Sequence, residues 1–261
     1  MPPAKRKKKS AAVIAVANQK GGVAKTTSVA SLGAAFAELG QRVLLVDLDA
    51  QACLTFSLGV DPDAVETSIH EVLLGKAELS EAILHCDDGV DLVPSTIDLA
   101  GAEAQLLGRP AREYVLQSAL EPVLAAYDII LLDCSPSLGV LTLNALTASK
   151  GLIIPMPAEM LGHRGVGQLL DTVADVKRIL NKKLEVLGIL PTMYDGRSNH
   201  SREVLDDVGE RYGLPVLEPP IPRTIRFAEA PAVGRSILAT GRTTKGAKAY
   251  RDVAKALLPR L

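Results

Sequence analysis

The sequence predicts an α/β fold, a doubly wound and mostly parallel sheet flanked by helices. Six short runs of β-branched and aliphatic residues alternate with longer helical stretches. Those runs are apolar throughout rather than at every second position, the mark of strands covered on both faces. Aspartates stand at the ends of two of them, where open parallel sheets present ligand-binding groups. At 261 residues, 48% hydrophobic and 23% charged, the chain is long enough to bury a sizeable core.

The first ten residues, "MPPAKRKKKS", hold an unbroken basic run, Lys5 to Lys9, too polar to pack. They read as a disordered arm (1–10) ahead of a single domain at 11–261, and the arm has two readings: a solubilising tail or a DNA-touching segment. No apolar segment follows the charges, so the stretch is not a secretory signal. "AAVIAVA" (11–17) is the first strand. A helix follows at Thr26 to Leu39, closed by Gly40. Strands come next at 42–49 ("RVLLVDLD") and 90–94 ("VDLVP"), then a helix from Val115 to Ala126 and strands at 128–133, 151–157 and 184–190. Pro219, Pro220 and Pro222 punctuate a late loop. A last helix places Ala249, Val253, Ala256 and Leu257 on one face, and Pro259 stops it.

Composition excludes several classes. No apolar run nears the roughly 18 residues that span a bilayer, so the cytoplasm is the default location. Aromatics are 3% and tryptophan is absent, which argues against single-strand stacking platforms and leaves phosphates as the nucleic-acid contact. Three well-separated cysteines, Cys53, Cys86 and Cys134, form neither a C-x-x-C motif nor an even set, so they read as small buried hydrophobes.

The segment between the first strand and the first helix, "NQKGGVAKTT" (18–27), is a phosphate loop in context, although G-x-x-x-x-G-K-[ST] fails at Gln19 and Ala24. Curled backbone there presents N–H groups and the helix adds its dipole. Lys25 supplies a point charge, the Thr26 hydroxyl is a Mg²⁺ ligand, and Gly21 and Gly22 let the chain approach phosphates closely. At Ala24 a Cβ demands a negative φ or tolerated strain.

"KGGVAKTT" resembles the deviant Walker A motif, KGGxxK[ST], of the ParA/MinD group of ATPases, with Lys20 as the signature lysine. The resemblance implies ATP and Mg²⁺ as cofactors, bound by Lys20, Gly21, Gly22, Val23, Ala24, Lys25, Thr26 and Thr27. It implies a homodimer formed on ATP binding, in which the signature lysine crosses to the partner's phosphates, and slow Mg²⁺-dependent hydrolysis. Lys20, Lys25 and Asp49 are then the catalytic groups, with Asp49 positioning the attacking water. Thr26 ligates the metal, and Asp133 and Asp49 hold it through water. Without the family, Asp47 and Asp49 also read as caps of a strand end and Asp133 as an acceptor of loop N–H bonds. The chain departs from the family in "DLDAQAC", where DxDPQGN is usual, and at Ser135, where the second switch has proline.

Blocks at 136–149, 189–208, 221–238 and 245–258 resemble the ParA/Soj branch, so the resemblance covers nearly everything after residue 11. It implies that Arg197 and Arg226, with Arg223, bind double-stranded DNA without sequence specificity, and that Met193 and Pro222 flank the adenine. It also implies a ParB-like centromere-binding protein that stimulates hydrolysis, and a nucleoid-associated cytoplasmic location. The alternative branch is a MinD-like membrane-associated cell-division ATPase, whose membrane helix the sequence "ALLPRL" does not match. Two further rivals are a nitrogenase-type iron protein with a cluster on Cys86 and Cys134, and a small-molecule kinase or ligase with its own substrate pocket.

Overall fold

A computed structural model describes residues 10–158 and 163–261; the basic run Lys5 to Lys9 lies outside them. In chain order the elements are β1 (Ala12–Val16), α1 (Lys25–Glu38), β2 (Val43–Leu48), α2 (Cys53–Ser57), α3 (Ile69–Leu73), β3 (Leu84–Cys86), β4 (Val90–Val93), α4 (Leu99–Leu106), α5 (Val115–Leu120) and β5 (Ile129–Cys134). They continue with α6 (Val140–Ala148), β6 (Gly151–Pro157), α7 (His163–Ile179), β7 (Glu185–Thr192), α8 (Asn199–Tyr212), α9 (Arg226–Glu229), α10 (Ile237–Thr240) and α11 (Lys245–Leu257).

Seven strands form one sheet in the order β3-β4-β2-β5-β1-β6-β7. Every pairing is parallel except β3 with β4. The six strands read from the sequence are all present, each within two residues of its expected ends. β1, β2, β5 and β6 are buried along their whole length, as continuous apolar runs require. One core lies between the sheet and α3 to α8, with Leu44, Ile130, Leu132 and Leu152 facing Val140, Leu169 and Val173. The other lies under α1, α2, α10 and α11, with Ile14, Leu45, Leu131 and Ile153 facing Leu32, Phe36 and Tyr250.

Three expectations change. The helix at Val115 to Ala126 is α-helical only to Leu120, and residues Glu121–Val123 form a 3₁₀ turn. Pro122 is the cause, since it has no N–H to continue the ladder. On α11 the buried stripe is Ala249, Tyr250, Val253, Ala254 and Leu257, and Ala256 is exposed. Of the cysteines only Cys134 is buried; Cys86 is half-buried and Cys53 is exposed.

Candidate functional site

The site lies at the carboxyl ends of β1, β2 and β5. The loop after β1 is held from two sides. Buried Asn18 donates to Pro155 O of β6 (2.7 Å) and accepts from Lys20 N–H (3.0 Å), while the Thr192 hydroxyl at the end of β7 donates to Val23 O (3.1 Å). Gly22 adopts φ 71°, open to glycine. Ala24 adopts φ 68°, so the strained alternative is the one realised: a Cβ sits in the left-handed region at a cost of about 1–2 kcal/mol. α1 begins directly after it with no side-chain cap and no acid in its first turn, leaving its terminal N–H groups and dipole for an anion. The Lys25 ammonium is folded into this cradle and donates to Lys20 O (3.2 Å). Burial lowers its pKa, and the Asp133 charge opposes that shift. The Lys20 side chain is exposed.

The three aspartates do different things. Asp47 and Asp133 are cross-strand neighbours on β2 and β5, and both are buried. Asp47 accepts from Thr55 N–H (2.9 Å), the Thr55 hydroxyl (2.7 Å) and Asp49 N–H (3.1 Å), so the structural reading holds for it. Its pKa is raised to about 6, chiefly by burial, with those hydrogen bonds pulling it down. Asp49 lines the cleft, and one of its oxygens accepts from Gln51 N–H (3.0 Å). Neither Asp133 oxygen has a hydrogen-bond partner, which removes the reading of this residue as an acceptor of loop N–H groups. Burial first, then the Asp47 charge, push its pKa well above the usual carboxylate range. The Thr26 hydroxyl stands close enough to pull the other way without a well-directed hydrogen bond. A buried carboxyl with two orphaned oxygens beside a hydroxyl and the phosphate loop fits a hydrated divalent cation, whose charge and waters would satisfy it.

A cleft of about 580 Å³ opens above these groups. Gly21, Gly22 and Ala24 to Thr27 form its floor, Asp49 and Cys53 one wall, and Met193, Pro222 and Arg223 the far end. Met193 is there in a left-handed conformation, φ 52°. Sequence reasoning missed the remaining wall, Phe227 and Tyr250, whose rings meet edge to face at 5.8 Å; Tyr250 also shares a hydrogen bond with Ser28 of α1 (3.0 Å). It missed Cys53 as well.

The arginine blocks meet at the far end of the cleft. Tyr194 N–H donates to Ile221 O (3.0 Å) and Arg223 N–H to Tyr194 O (3.1 Å), which ties the loop of Arg197 to the segment leading into Arg226. Arg197 and Arg226 are exposed, and Arg226 pairs with Glu229 (2.8 Å). Cys86 and Cys134 are not brought together: β3 and β5 are separated by β4 and β2, and no metal-holding cluster of His, Cys, Asp and Glu exists among the described residues.

A family model described as "AAA domain" matches residues 11–186. The chain is similar to Bacillus subtilis sporulation initiation inhibitor protein Soj, 43% identical with 93% of this chain and 96% of that one covered. It is 39% identical to the chromosome partitioning protein ParA of Caulobacter vibrioides, covering 95% and 94% of the two chains. Among solved structures it resembles cobyrinic acid a,c-diamide synthase from Mycobacterium smegmatis with bound ATP analogue and magnesium, at 56% identity and a TM-score of 0.87 over 96% and 95% of the chains. With a phosphate loop of the signature-lysine kind and relatives matched along nearly their whole length, the chain belongs to the ParA/Soj family of partitioning ATPases.

Proposed function

We propose that the chain is an ATP-switched DNA-partitioning ATPase, and the observation that carries this is the composition of the cleft. It joins a loop built for phosphates, a water-positioning carboxyl, Asp49, and a buried carboxyl, Asp133, that lacks any partner of its own. Backbone N–H groups of residues 21–27 and the Lys25 ammonium hold the phosphates of ATP. The ammonium has three donors and already gives one to Lys20 O, so it links the phosphates to the segment that carries Lys20. When bound, Mg²⁺ would be held by Thr26 and, through water, by Asp133 and Asp49, and would neutralise phosphate charge. Asp49 orients a water against the terminal phosphorus. The exposed Lys20 crosses to a second subunit, where its charge stabilises the anionic oxygens of the transition state. Met193 and Pro222 flank the base. Dimerisation doubles the exposed arginines, Arg197, Arg226 and Arg223, offered to DNA phosphates, so affinity for the duplex follows nucleotide state. A ParB-like protein accelerates hydrolysis and release, and the protein works in the cytoplasm on the nucleoid.

Two alternatives fit less well. In a membrane-bound, MinD-like ATPase the last helix would have to offer an apolar face to lipid. Here the apolar face of α11 is spent on α1, with Tyr250, Val253 and Leu257 fully buried. An amide-forming synthase, the activity named for the Mycobacterium smegmatis relative, needs a second pocket beside the phosphates. A cavity of about 360 Å³ between α3 and α5 shares no lining residue with the cleft, and the one that shares Thr27, Ser57 and Phe227 with it holds only about 20 Å³.

The test is a duplex-DNA titration with ATP, with ADP and without nucleotide. ATP should raise affinity steeply; equal affinity in the three states overturns the proposal. The Lys20→Ala variant should bind ATP but neither dimerise nor hydrolyse it at the wild-type rate, and wild-type turnover would remove the crossing lysine.

A further inference from the structure

At the end of the sheet opposite the cleft, cations collect. α7 descends from the cleft end, and its last turn carries Lys177 and Arg178. The turn that follows carries Lys182 and Lys183 and is bolted in place. Asn181 donates to Leu146 O (3.0 Å) and Ser149 O (2.6 Å) and accepts from Lys183 N–H (3.1 Å), while Glu185 N–H donates to Lys150 O (3.0 Å). Lys150 reaches Leu261 O (3.2 Å) and Arg260 reaches Leu187 O (2.9 Å), so both are fixed on the same surface. All six cations are exposed. Ser10, from which the Lys5 to Lys9 run extends, lines a cavity with Leu258 and Leu261.

The helix dipole accounts for Lys177 and Arg178, and Arg178 also pairs with Asp175 (2.7 Å). It does not account for Lys150, Lys182, Lys183 and Arg260, which lie outside α7. Of the carboxylates nearby, Asp128 is held by Arg42 through three hydrogen bonds (2.9, 3.0 and 3.1 Å), Asp175 pairs with Arg178, and Glu185 lines a small cavity with Lys150 and Arg260.

We infer that this surface, built from Lys150, Lys182, Lys183 and Arg260 with the end of α7, is a second binding face for the phosphates of duplex DNA, independent of nucleotide state. DNA is favoured over an anionic bilayer because the cations stand on pinned backbone, while Ile179 is the one large apolar side chain exposed at the end of α7, too little for interfacial insertion. The face lies about 20 Å from the Arg197 and Arg226 loops, the length of the seven-residue β6. An ATP-bound dimer would therefore hold one duplex at its cleft end and a second at this end, and would bridge them. The bridging rests on the proposed DNA switch; the affinity of the face itself does not.

The experiment uses the full chain and a short duplex in three states: nucleotide-free, with ADP and with ATP. Lys182→Ala combined with Lys183→Ala should weaken nucleotide-free binding about tenfold at low salt, reduce the slope of log affinity against log salt by roughly 2, and leave DNA-free ATP hydrolysis unchanged. Arg197→Ala with Arg226→Ala should do the reverse, abolishing the ATP-dependent gain and sparing the nucleotide-free component. Loss of the ATP-dependent gain alone from wild type would sink the switch and leave this face standing. The inference is overturned if the lysine pair binds DNA as wild type does in all three states. It is equally overturned if the pair alters only binding to vesicles containing phosphatidylglycerol.

Discussion

Asp133→Asn should make the nucleotide-free protein more stable and the liganded protein less so. The wild-type carboxyl is buried, faces Asp47 across β2 and β5, and has no donor on either oxygen. An amide of the same shape removes the like charge and offers N–H donors to Asp47, and a hydrogen bond to a charged group contributes about 1.5–3 kcal/mol. A gain of about 2 kcal/mol, at roughly 2–4 °C per kcal/mol for a chain of this size, raises the nucleotide-free Tm by about 4–8 °C. The sign with pH follows from the raised pKa. The folded state holds the proton more tightly than the unfolded state, so wild-type stability is intact below the unfolded value of about 3.9 and is lost as pH climbs through the higher folded value. The advantage of the amide should therefore be smallest near pH 4 and largest in alkali. With Mg²⁺ and ATP at about 100 times Kd, wild type gains about 2.7 kcal/mol, and the variant should gain little. Differential scanning calorimetry across pH, with and without Mg·ATP, reads both effects. A nucleotide-free Tm that falls, or a gain that does not vary with pH, would refute the reasoning.

Ala52, where the family pattern has glycine, adopts φ 50°. Ala52→Gly should raise Tm by about 2 °C, since relief of about 1–2 kcal/mol is partly offset by roughly 0.5–1 kcal/mol of chain entropy, whereas Ala52→Val should lower it. A Cβ at Gly165 would lie 2.7 Å from Asn18 Oδ1 and 3.5 Å from Lys20 N, so Gly165→Ala should dislodge the signature lysine and cut ATP turnover at least about tenfold, read by phosphate release. Tyr250→Phe strands the Ser28 hydroxyl in the core and should cost about 1–2 kcal/mol by denaturant unfolding.

The parts legible in the sequence were those whose physics is local. The phosphate loop announced itself because a strand, two glycines, a lysine and a hydroxyl residue must be contiguous to wrap an anion. The buried strands did so because covering on both faces leaves an unbroken apolar run. β3 did not, since three residues reading Leu-His-Cys, half exposed at the sheet edge, carry no such run. The different fates of Asp47 and Asp133 were equally invisible. Both end a strand in the same pattern, and only the fold decides that Thr55 returns two donors to the first and none to the second. The Phe227 and Tyr250 wall joins residues from distant segments, so no spacing could reveal it.

The two margins of the sheet have a consequence for crowding. At high local concentration, open strand edges would template irregular association. One margin here is β3, three residues long, antiparallel and carrying the exposed His85. The other, β7, has its outward groups taken by the segment at 215–222: Ile189 N–H donates to Pro215 O, Leu217 N–H to Ile189 O and Ile221 N–H to Pro191 O. Neither margin offers a long free ladder to a neighbouring molecule. Self-association is thereby denied to the backbone and left to side chains.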